Sequence, residues 1–342
     1  MTNSIGSSPV HIQANLNHPL TQIIYLHETR FFKQILEYKW QNSHNQNKTL
    51  IECAMDSPGM KFRQALAEES PLQILGVANA YIALMAKQVG FKALYLSGAG
   101  VANSIYGLPD LALTTLDNVV DEVDRLTDAV DLPLLVDIDT GWGHSLMIER
   151  TIKRMIKMGA AAVHIEDQIP EKRCGHRSGK SLVSKKIMAD RIKAALNAKT
   201  DPYFVVMART DAIAVEGLVP ALDRCVAYVE AGAEMLFVEA ATTLEEYRMF
   251  KEVCPVPILA NLTEFGKTPS FDLSELAQVG IDMALYPLSV NRAMNAAALN
   301  VMRDIKKNGS QKQSIPLMQT RQELYKFLNY EQAEQAINPL ST

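Results

Sequence analysis

Three acidic residues end two apolar runs of the sequence, where their carboxylates could hold a metal ion. Asp137 and Asp139 lie two residues apart at the end of one run, and Glu166 lies near the end of the next. Residues i and i+2 of a strand point to the same side of the sheet. Two carboxylates in such positions repel each other unless a cation or a proton lies between them. Oxygen ligands favour a hard cation, so the spacing predicts Mg²⁺ or Mn²⁺ at Asp137 and Asp139, with Glu166 as a third ligand, directly or through water. A helix cap or an ion pair is the structural alternative for each carboxylate.

A cysteine in a basic loop is the second candidate for chemistry. Cys174 is preceded by Lys172 and Arg173 and followed by Gly175 and His176. A thiol among basic groups is a candidate acid or nucleophile, and glycine lets a loop close over a site. Zinc is disfavoured because one cysteine and one histidine supply two of four ligands. The loop therefore predicts either a catalytic thiol or an inert cysteine.

Arg209 ends another apolar run and requires an anion if it is buried, since an unpaired buried charge is costly. Its planar guanidinium suits a carboxylate in a bidentate arrangement. That carboxylate belongs either to the protein, for example to Glu239, or to a substrate, and the residues alone leave both open.

The elements that position these residues follow a regular order. Eight runs rich in Val, Ile, Leu and Ala alternate with helical patterns, as expected for parallel strands buried on both faces. The runs are 73–80, 93–98, 132–141, 161–168, 203–212, 235–241, 256–263 and 283–289. Eight such units over roughly 215 residues predict an α/β protein with a (β/α)₈ TIM-type barrel. A doubly wound sheet is the alternative, but no glycine-rich fingerprint follows the first run.

Most of these runs end in polar residues, and in a barrel of this type the carboxyl ends of the strands form the catalytic face. The polar ends are Asn79, Ser97, Asp137, Glu166, Arg209, Glu239, Asn261 and Ser289. Their convergence predicts an active site that could bind a charged small molecule.

Composition limits the function classes. Of 342 residues, 48% are hydrophobic and 21% charged, and the net charge of −4 argues against nucleic-acid binding. We find no transmembrane run or signal peptide, and four cysteines without close pairing predict a reduced, cytoplasmic protein. Residues 1–54 hold four of the seven histidines and are predicted to form a flexible N-terminal extension of unknown role, with the barrel domain at 55–342.

Six segments together resemble the isocitrate lyase/phosphoenolpyruvate mutase superfamily. They are KRCGHRSGK at 172–180, VDIDTGWG at 136–143, LSGAGVANS at 96–104, MARTDA at 207–212, ANLTEFGKTP at 260–269 and YPLS at 286–289. The resemblance covers about residues 62–330. The cysteine separates this chain from the phosphoenolpyruvate mutases, and the true isocitrate lyases carry an insertion absent here.

The resemblance implies Mg²⁺-dependent cleavage of 2-methylisocitrate to pyruvate and succinate, in the methylcitrate cycle of propionate catabolism. It implies that Ser97, Gly98 and Ala99 hold a substrate carboxylate, although Ala99 replaces a common glycine. By the same likeness, Cys174 is the proton donor on a closing loop, with Gly175 beside it. His176 or Glu239 would orient the protonation, and Tyr95 would be a base for the hydroxyl. The remaining substrate residues implied are Arg209, Glu239, Asn261, Leu262, Thr263, Arg292 and Arg321.

The resemblance also implies a homotetramer with extra C-terminal helices, one of them exchanged between subunits. Isocitrate, a dimethylmalate or oxaloacetate is the alternative substrate on the same fold, because one methyl group changes selectivity only modestly. A third interpretation is a catalytically inactive barrel that acts as a binding or scaffold protein. It would predict lost site residues, yet both aspartates, the cysteine and the arginines are present.

Overall fold

The computed structural model describes residues 57–337. In this part of the chain eight parallel strands form a closed barrel in sequence order, and β1 pairs with both β2 and β8. The strands are β1 Leu72–Gly76, β2 Ala93–Leu96, β3 Leu134–Asp137, β4 Ala162–Glu166, β5 Val205–Thr210, β6 Met235–Val238, β7 Ile258–Asn261 and β8 Met283–Tyr286. The (β/α)₈ prediction is confirmed, and the doubly wound alternative is wrong.

Helices precede, connect and follow the strands. Those of six or more residues are α1 Pro58–Glu68, α2 Ala80–Val89, α3 Leu116–Ala129, α4 Ser145–Lys157, α5 Lys185–Asn197, α6 Leu218–Glu230, α7 Leu244–Val253, α8 Leu273–Gln278, α9 Ser289–Asn308, α10 Arg321–Phe327 and α11 Tyr330–Ile337. Local signals set their ends: Thr115 forms a capping box with Asn118 at the start of α3, and Gly90 ends α2 in the left-handed conformation.

Each predicted strand exists, but most of the apolar runs overshoot the strand at its carboxyl end. The run 132–141 reduces to a strand that ends at Asp137, so Asp139 lies beyond it with a positive φ of 46°. The prediction that Asp137 and Asp139 share a strand is therefore wrong. Beyond the strand the backbone still contacts β4, because the N–H of Ile138 donates to His164 O at 3.2 Å and the N–H of Glu166 donates to Asp139 O at 3.0 Å.

The core has two layers. One fills the barrel with inward side chains such as Ile74 and Met207, and the other lies between the strands and the surrounding helices. Helix α1 closes the amino end of the barrel: Phe62 joins the inner layer, and a Cβ on Gly59 would lie 2.4 Å from the backbone nitrogen of Phe204. Only the carboxyl end is left for a site.

The predicted C-terminal helices are present as α9, α10 and α11. Within the described residues of α9, only Asn291 is buried. Exchange of a helix between subunits stays a prediction. The predicted extension, residues 1–54, lies outside the described residues. Among the described helices, none has the length and apolar character to cross a membrane.

Candidate active site

A cavity of about 80 Å³ opens at the carboxyl ends of the strands. Its walls come from the mouth of the barrel and from the loop that follows β4. The lining residues include Tyr95, Ser97, Ala99, Asp137, Cys174, Gly175, His176, Arg209, Glu239, Asn261, Thr263 and Arg292. Twelve of the residues predicted for the site from the sequence thus meet in one place.

The acidic corner of the cavity is built around Asp137. Its Oδ2 accepts a hydrogen bond from the backbone of Gly98 at 3.1 Å and lies 3.4 Å from the Tyr95 hydroxyl. Its Oδ1 accepts the backbone N–H of Asp139 at 3.0 Å. The Tyr95 hydroxyl also lies 3.0 Å from His164 Nε2, and burial lowers the pKa of His164 to about 4. The ring of His164 is therefore neutral near pH 7.

A lysine ammonium lies at the same corner. Lys172 Nζ is 2.7 Å from Asp139 Oδ1 and also contacts Asp110 Oδ1. Although burial lowers it, these two carboxylates raise the pKa of Lys172 above its ordinary value. Lys172 therefore supplies a permanent positive charge beside the aspartates.

The corner fits the demand for a divalent cation. Burial, together with the Asp137 carboxylate, raises the pKa of Asp139 to about 7, so even with Lys172 nearby the second carboxylate ionises reluctantly. Mg²⁺ commonly binds one or two protein carboxylates and keeps several waters. Among the described residues, no group of three or more His, Cys, Asp or Glu side chains is arranged to hold a metal ion.

Glu166 faces a different partner from the one predicted. Its Oε2 lies 3.3 Å from Arg209 Nε, while its Oε1 is buried without a hydrogen-bond partner. Burial raises the pKa of Glu166 well above its usual range. The structure shows Glu166 in direct contact with Arg209. The role of Glu166 as a third metal ligand stays a prediction.

Arg209 is surrounded by protein carboxylates. Its guanidinium lies 3.0 Å from Asp211 and 3.3 Å from Glu239, in addition to Glu166. The protein thus supplies anions for Arg209, one of the two alternatives left open by the sequence. The guanidinium still lines the cavity, so it can also face a substrate.

The loop after β4 brings Cys174 to the cavity and fixes the histidine next to it. His176 Nδ1 accepts the backbone N–H of Lys267 at 3.0 Å, which places the ring proton on Nε2, 2.7 Å from Glu239 Oε1. Although burial raises it, Arg209 and His176 hold the pKa of Glu239 well below its usual range. The ion pairs give this wall of the cavity a fixed shape.

Gly175 presses directly against that wall. An added Cβ would lie 2.5 Å from Arg209 Nη2 and 2.6 Å from Glu239 Cδ, two groups that hold each other in place. We expect Gly175→Ala to displace the loop and lower turnover by about 100-fold, the cost of misplacing a reacting group by about 1 Å. The exposed Ser178→Ala change in the same loop is the matched control. Steady-state kinetics and thermal melting of both variants check this, and normal turnover in Gly175→Ala would contradict it.

Besides Asp139 and Glu166, three predicted residues lie outside the cavity lining. Gly98 donates its backbone N–H to Asp137, and a Cβ added at Gly98 would lie 3.0 Å from Asp137 Oδ2. Leu262 packs in the outer core, and Arg321 lies exposed at the start of α10.

The sequence reasoning also missed residues that do line the cavity. They are Asp110, Lys172, Arg173, Phe237, Pro287 and Leu288. Lys172 was noted only as a neighbour of the thiol. Its adjacency to Cys174 was a signal, whereas the inward position of Phe237 could have been read from the alternation along β6.

The fold and the site together define a (β/α)₈-barrel enzyme. At the carboxyl ends of its strands lie the carboxylate of Asp137, the buried guanidinium of Arg209 and the thiol of Cys174. The family described as phosphoenolpyruvate phosphomutase matches residues 62–306. The chain belongs to the phosphoenolpyruvate mutase/isocitrate lyase superfamily.

Two curated relatives and one solved structure show how similar the chain is to known members. The 2-methylisocitrate lyase of Shewanella oneidensis is 57% identical over 284 residues, which cover 83% of this chain and 97% of the relative. The Escherichia coli (strain K12) enzyme of the same name is 56% identical over 288 residues, covering 84% and 97%. A crystal structure of 2,3-dimethylmalate lyase has a TM-score of 0.76 at 31% identity and covers 83% of this chain and 95% of that one.

Proposed function

We propose that the protein is a Mg²⁺-dependent 2-methylisocitrate lyase, which cleaves its substrate to pyruvate and succinate in the methylcitrate cycle. The observation that carries this proposal is the meeting of Cys174, Asp137 and Arg209 in one cavity. The identity of 55–57% to relatives that bear this name supports it. The cytoplasm is the proposed location, on the cysteine pattern of the sequence.

The reaction makes two charge demands on the site. The substrate hydroxyl loses its proton and becomes the keto oxygen of pyruvate, while the electrons of the broken carbon–carbon bond pass to a carbon beside a carboxylate. Succinate forms when that carbon takes up a proton. A divalent cation held by Asp137 and Asp139 would supply positive charge for the hydroxyl and its neighbouring carboxylate.

Cys174 is the proposed donor of the proton to the new carbanion. Its loop brings the thiol to the cavity, and Cys174 is partly buried. His176 carries its proton towards Glu239 and not towards the thiol, so its proposed role is to orient the loop. Proton transfer by a positioned group contributes about 10²- to 10⁴-fold in rate.

The growing charge on the succinate half requires donors fixed in advance. Arg209, Asn261 and Thr263 line the cavity, and the Asn261 amide is held by Glu239 at 3.3 Å. Each well-placed donor of this kind is worth roughly 3–4 kcal/mol. Ser97 and Ala99 are proposed to receive a substrate carboxylate. The N–H of Gly98, which lies between them, already donates to Asp137.

Tyr95 stays the proposed partner of the substrate hydroxyl. Burial and the Asp137 carboxylate raise the pKa of Tyr95 well above its ordinary value, so the phenol is protonated near pH 7. In this state it donates a hydrogen bond. Action as a base requires more positive charge at the corner than the protein side chains supply.

The apolar part of the cavity favours a substrate with a methyl group. Phe237, Pro287 and Leu288 line the cavity among otherwise polar residues. We expect kcat/KM for 2-methylisocitrate to exceed that for isocitrate by about 10- to 200-fold, the worth of one methyl group in an apolar pocket. Parallel assays that detect pyruvate and glyoxylate measure this, and 2,3-dimethylmalate and oxaloacetate complete the panel. A preference for isocitrate would replace the proposed substrate with the alternative.

A homotetramer is proposed as the assembly. Helix α9 spans 20 residues, and Met294, Leu299 and Met302 are exposed on it within the described chain. An exchanged helix would cover such apolar side chains, as the resemblance to the superfamily implies. No membrane or nucleic-acid partner is proposed.

A further inference from the structure

The loop that carries Cys174 has a fixed neck. Gln168 forms an isolated antiparallel bridge with Leu182. The N–H of Ile169 donates to Ser181 O at 3.0 Å, and the N–H of Val183 donates to Asp167 O at 2.9 Å. The two sides of the loop therefore start side by side, and what remains to be held is the tip.

The tip has little apolar anchoring. Arg173, Arg177, Ser178 and Gly179 are exposed, and none of them belongs to a described hydrophobic cluster. Segments with few buried apolar contacts open at low cost in free energy. Polar contacts must therefore hold the thiol in place.

Lys180 supplies one such contact from within the protein. Its side chain is 1% exposed, and Nζ donates to the carbonyl oxygen of Gly175 and, at 2.7 Å, to Asp211 Oδ1. Asp211 is fixed in turn by Arg209 Nε at 3.0 Å and by its own N–H, which donates to Asp167 at 2.9 Å. Lys180 thus connects the residue after the thiol to the end of β5.

Gln168 supplies a second contact, on the residue before the thiol. Its Nε2 donates to Arg173 O at 2.8 Å, and its Oε1 accepts the N–H of Arg173 at 2.9 Å. Gln168 is fully buried, so the side-chain partner in both bonds is shielded from water. Both chain neighbours of Cys174 are therefore held through their backbones by buried side chains.

We propose that Gln168 and Lys180 form a latch that holds the loop closed, with both acting as positioning residues for the thiol. Without Lys180, Asp211 loses one of its two cationic partners and the Gly175 carbonyl loses its donor, which favours the open loop. The consequence for turnover rests on the proposed function of Cys174 as proton donor. The proposed position of the loop does not depend on that function.

The test is the rate at which iodoacetamide alkylates Cys174, followed by mass spectrometry of the Cys174 peptide in the full chain with Mg²⁺. We expect the rate in Lys180→Met to rise by about 10- to 100-fold, as for the loss of hydrogen bonds to a charged group. Lys180→Arg, which keeps the charge, should restore part of the protection. Lys185→Met is the matched control, because it breaks only an exposed ion pair to Asp223. It should alkylate and turn over like the wild type.

A second variant and a measurement on the unaltered protein keep the proposal open to refutation. Gln168→Met should also speed alkylation, and kcat/KM should fall in both variants. In the wild type, hydrogen exchange of the Arg173 amide should be slow because it donates to Gln168. Unchanged alkylation in a folded variant, or unprotected exchange at Arg173, would overturn the latch. Faster alkylation in a protein that does not cleave 2-methylisocitrate would support the latch and remove only the proposed function.

Discussion

Cys174→Ser is expected to lower kcat by about 10²- to 10⁴-fold, the contribution of a positioned general acid. A serine hydroxyl holds its proton more tightly than a thiol, so it protonates the carbanion poorly. It occupies a similar volume, so the loop, the Arg209–Glu239 pair and the acidic corner should stay in place. KM should therefore change much less than kcat. Steady-state kinetics with 2-methylisocitrate measure both.

The control for the cysteine variant is Ser178→Ala, a change of similar size at an exposed position of the same loop. It should keep wild-type kinetics. Calorimetry of Mg²⁺, pyruvate and succinate should show that Cys174→Ser still binds the ion and the products. Near-normal turnover would remove the thiol from the reaction, and lost binding would mean that the cysteine shapes the site.

Chelation is expected to reduce turnover to background, and added Mg²⁺ or Mn²⁺ to restore it. The physical reason is the charge at the acidic corner, where burial and Asp137 raise the pKa of Asp139 to about 7. Lys172 is already engaged by Asp110 and Asp139, so it cannot take over the charge of a lost divalent ion. Dialysis against EDTA followed by assay and metal addition makes the measurement.

A variant separates loss of the ion from general damage by EDTA. Asp137→Asn keeps the shape of the side chain but removes its charge, so Mg²⁺ binding measured by calorimetry should weaken together with turnover. Asp131→Asn is the matched control, because Asp131 pairs with Lys87 on the surface. Full activity in EDTA would show that the cleavage needs no divalent ion.

Local patterns in the sequence were sufficient for the architecture. A strand buried on both faces must be apolar along its length, so the eight strands are visible as runs without any partner being known. The capping residues Thr115 and Gly90 act on their own helices, for which reason two helix ends could also be predicted. Polar residues at the ends of the strands then placed the mouth of the barrel, since all parallel strands present their carboxyl ends to one face.

The partners of the site residues could not be predicted from local patterns. Asp110 and Lys172 are 62 positions apart, and His176 and Lys267 are 91 apart, so only the closed barrel brings them together. The left-handed backbone of Asp139 likewise follows from the end of β3, which the apolar run did not mark.

The order of strands and helices and the chemical groups at the mouth follow from local sequence patterns, because burial and capping act over a few neighbouring residues. Only the tertiary structure decided that Arg209 is held by three protein carboxylates, that His176 faces Glu239, and that Gln168 and Lys180 hold the loop of the thiol. Contacts between distant positions depend on how the barrel closes and which side chains compete for each charge, and no local pattern encodes that competition.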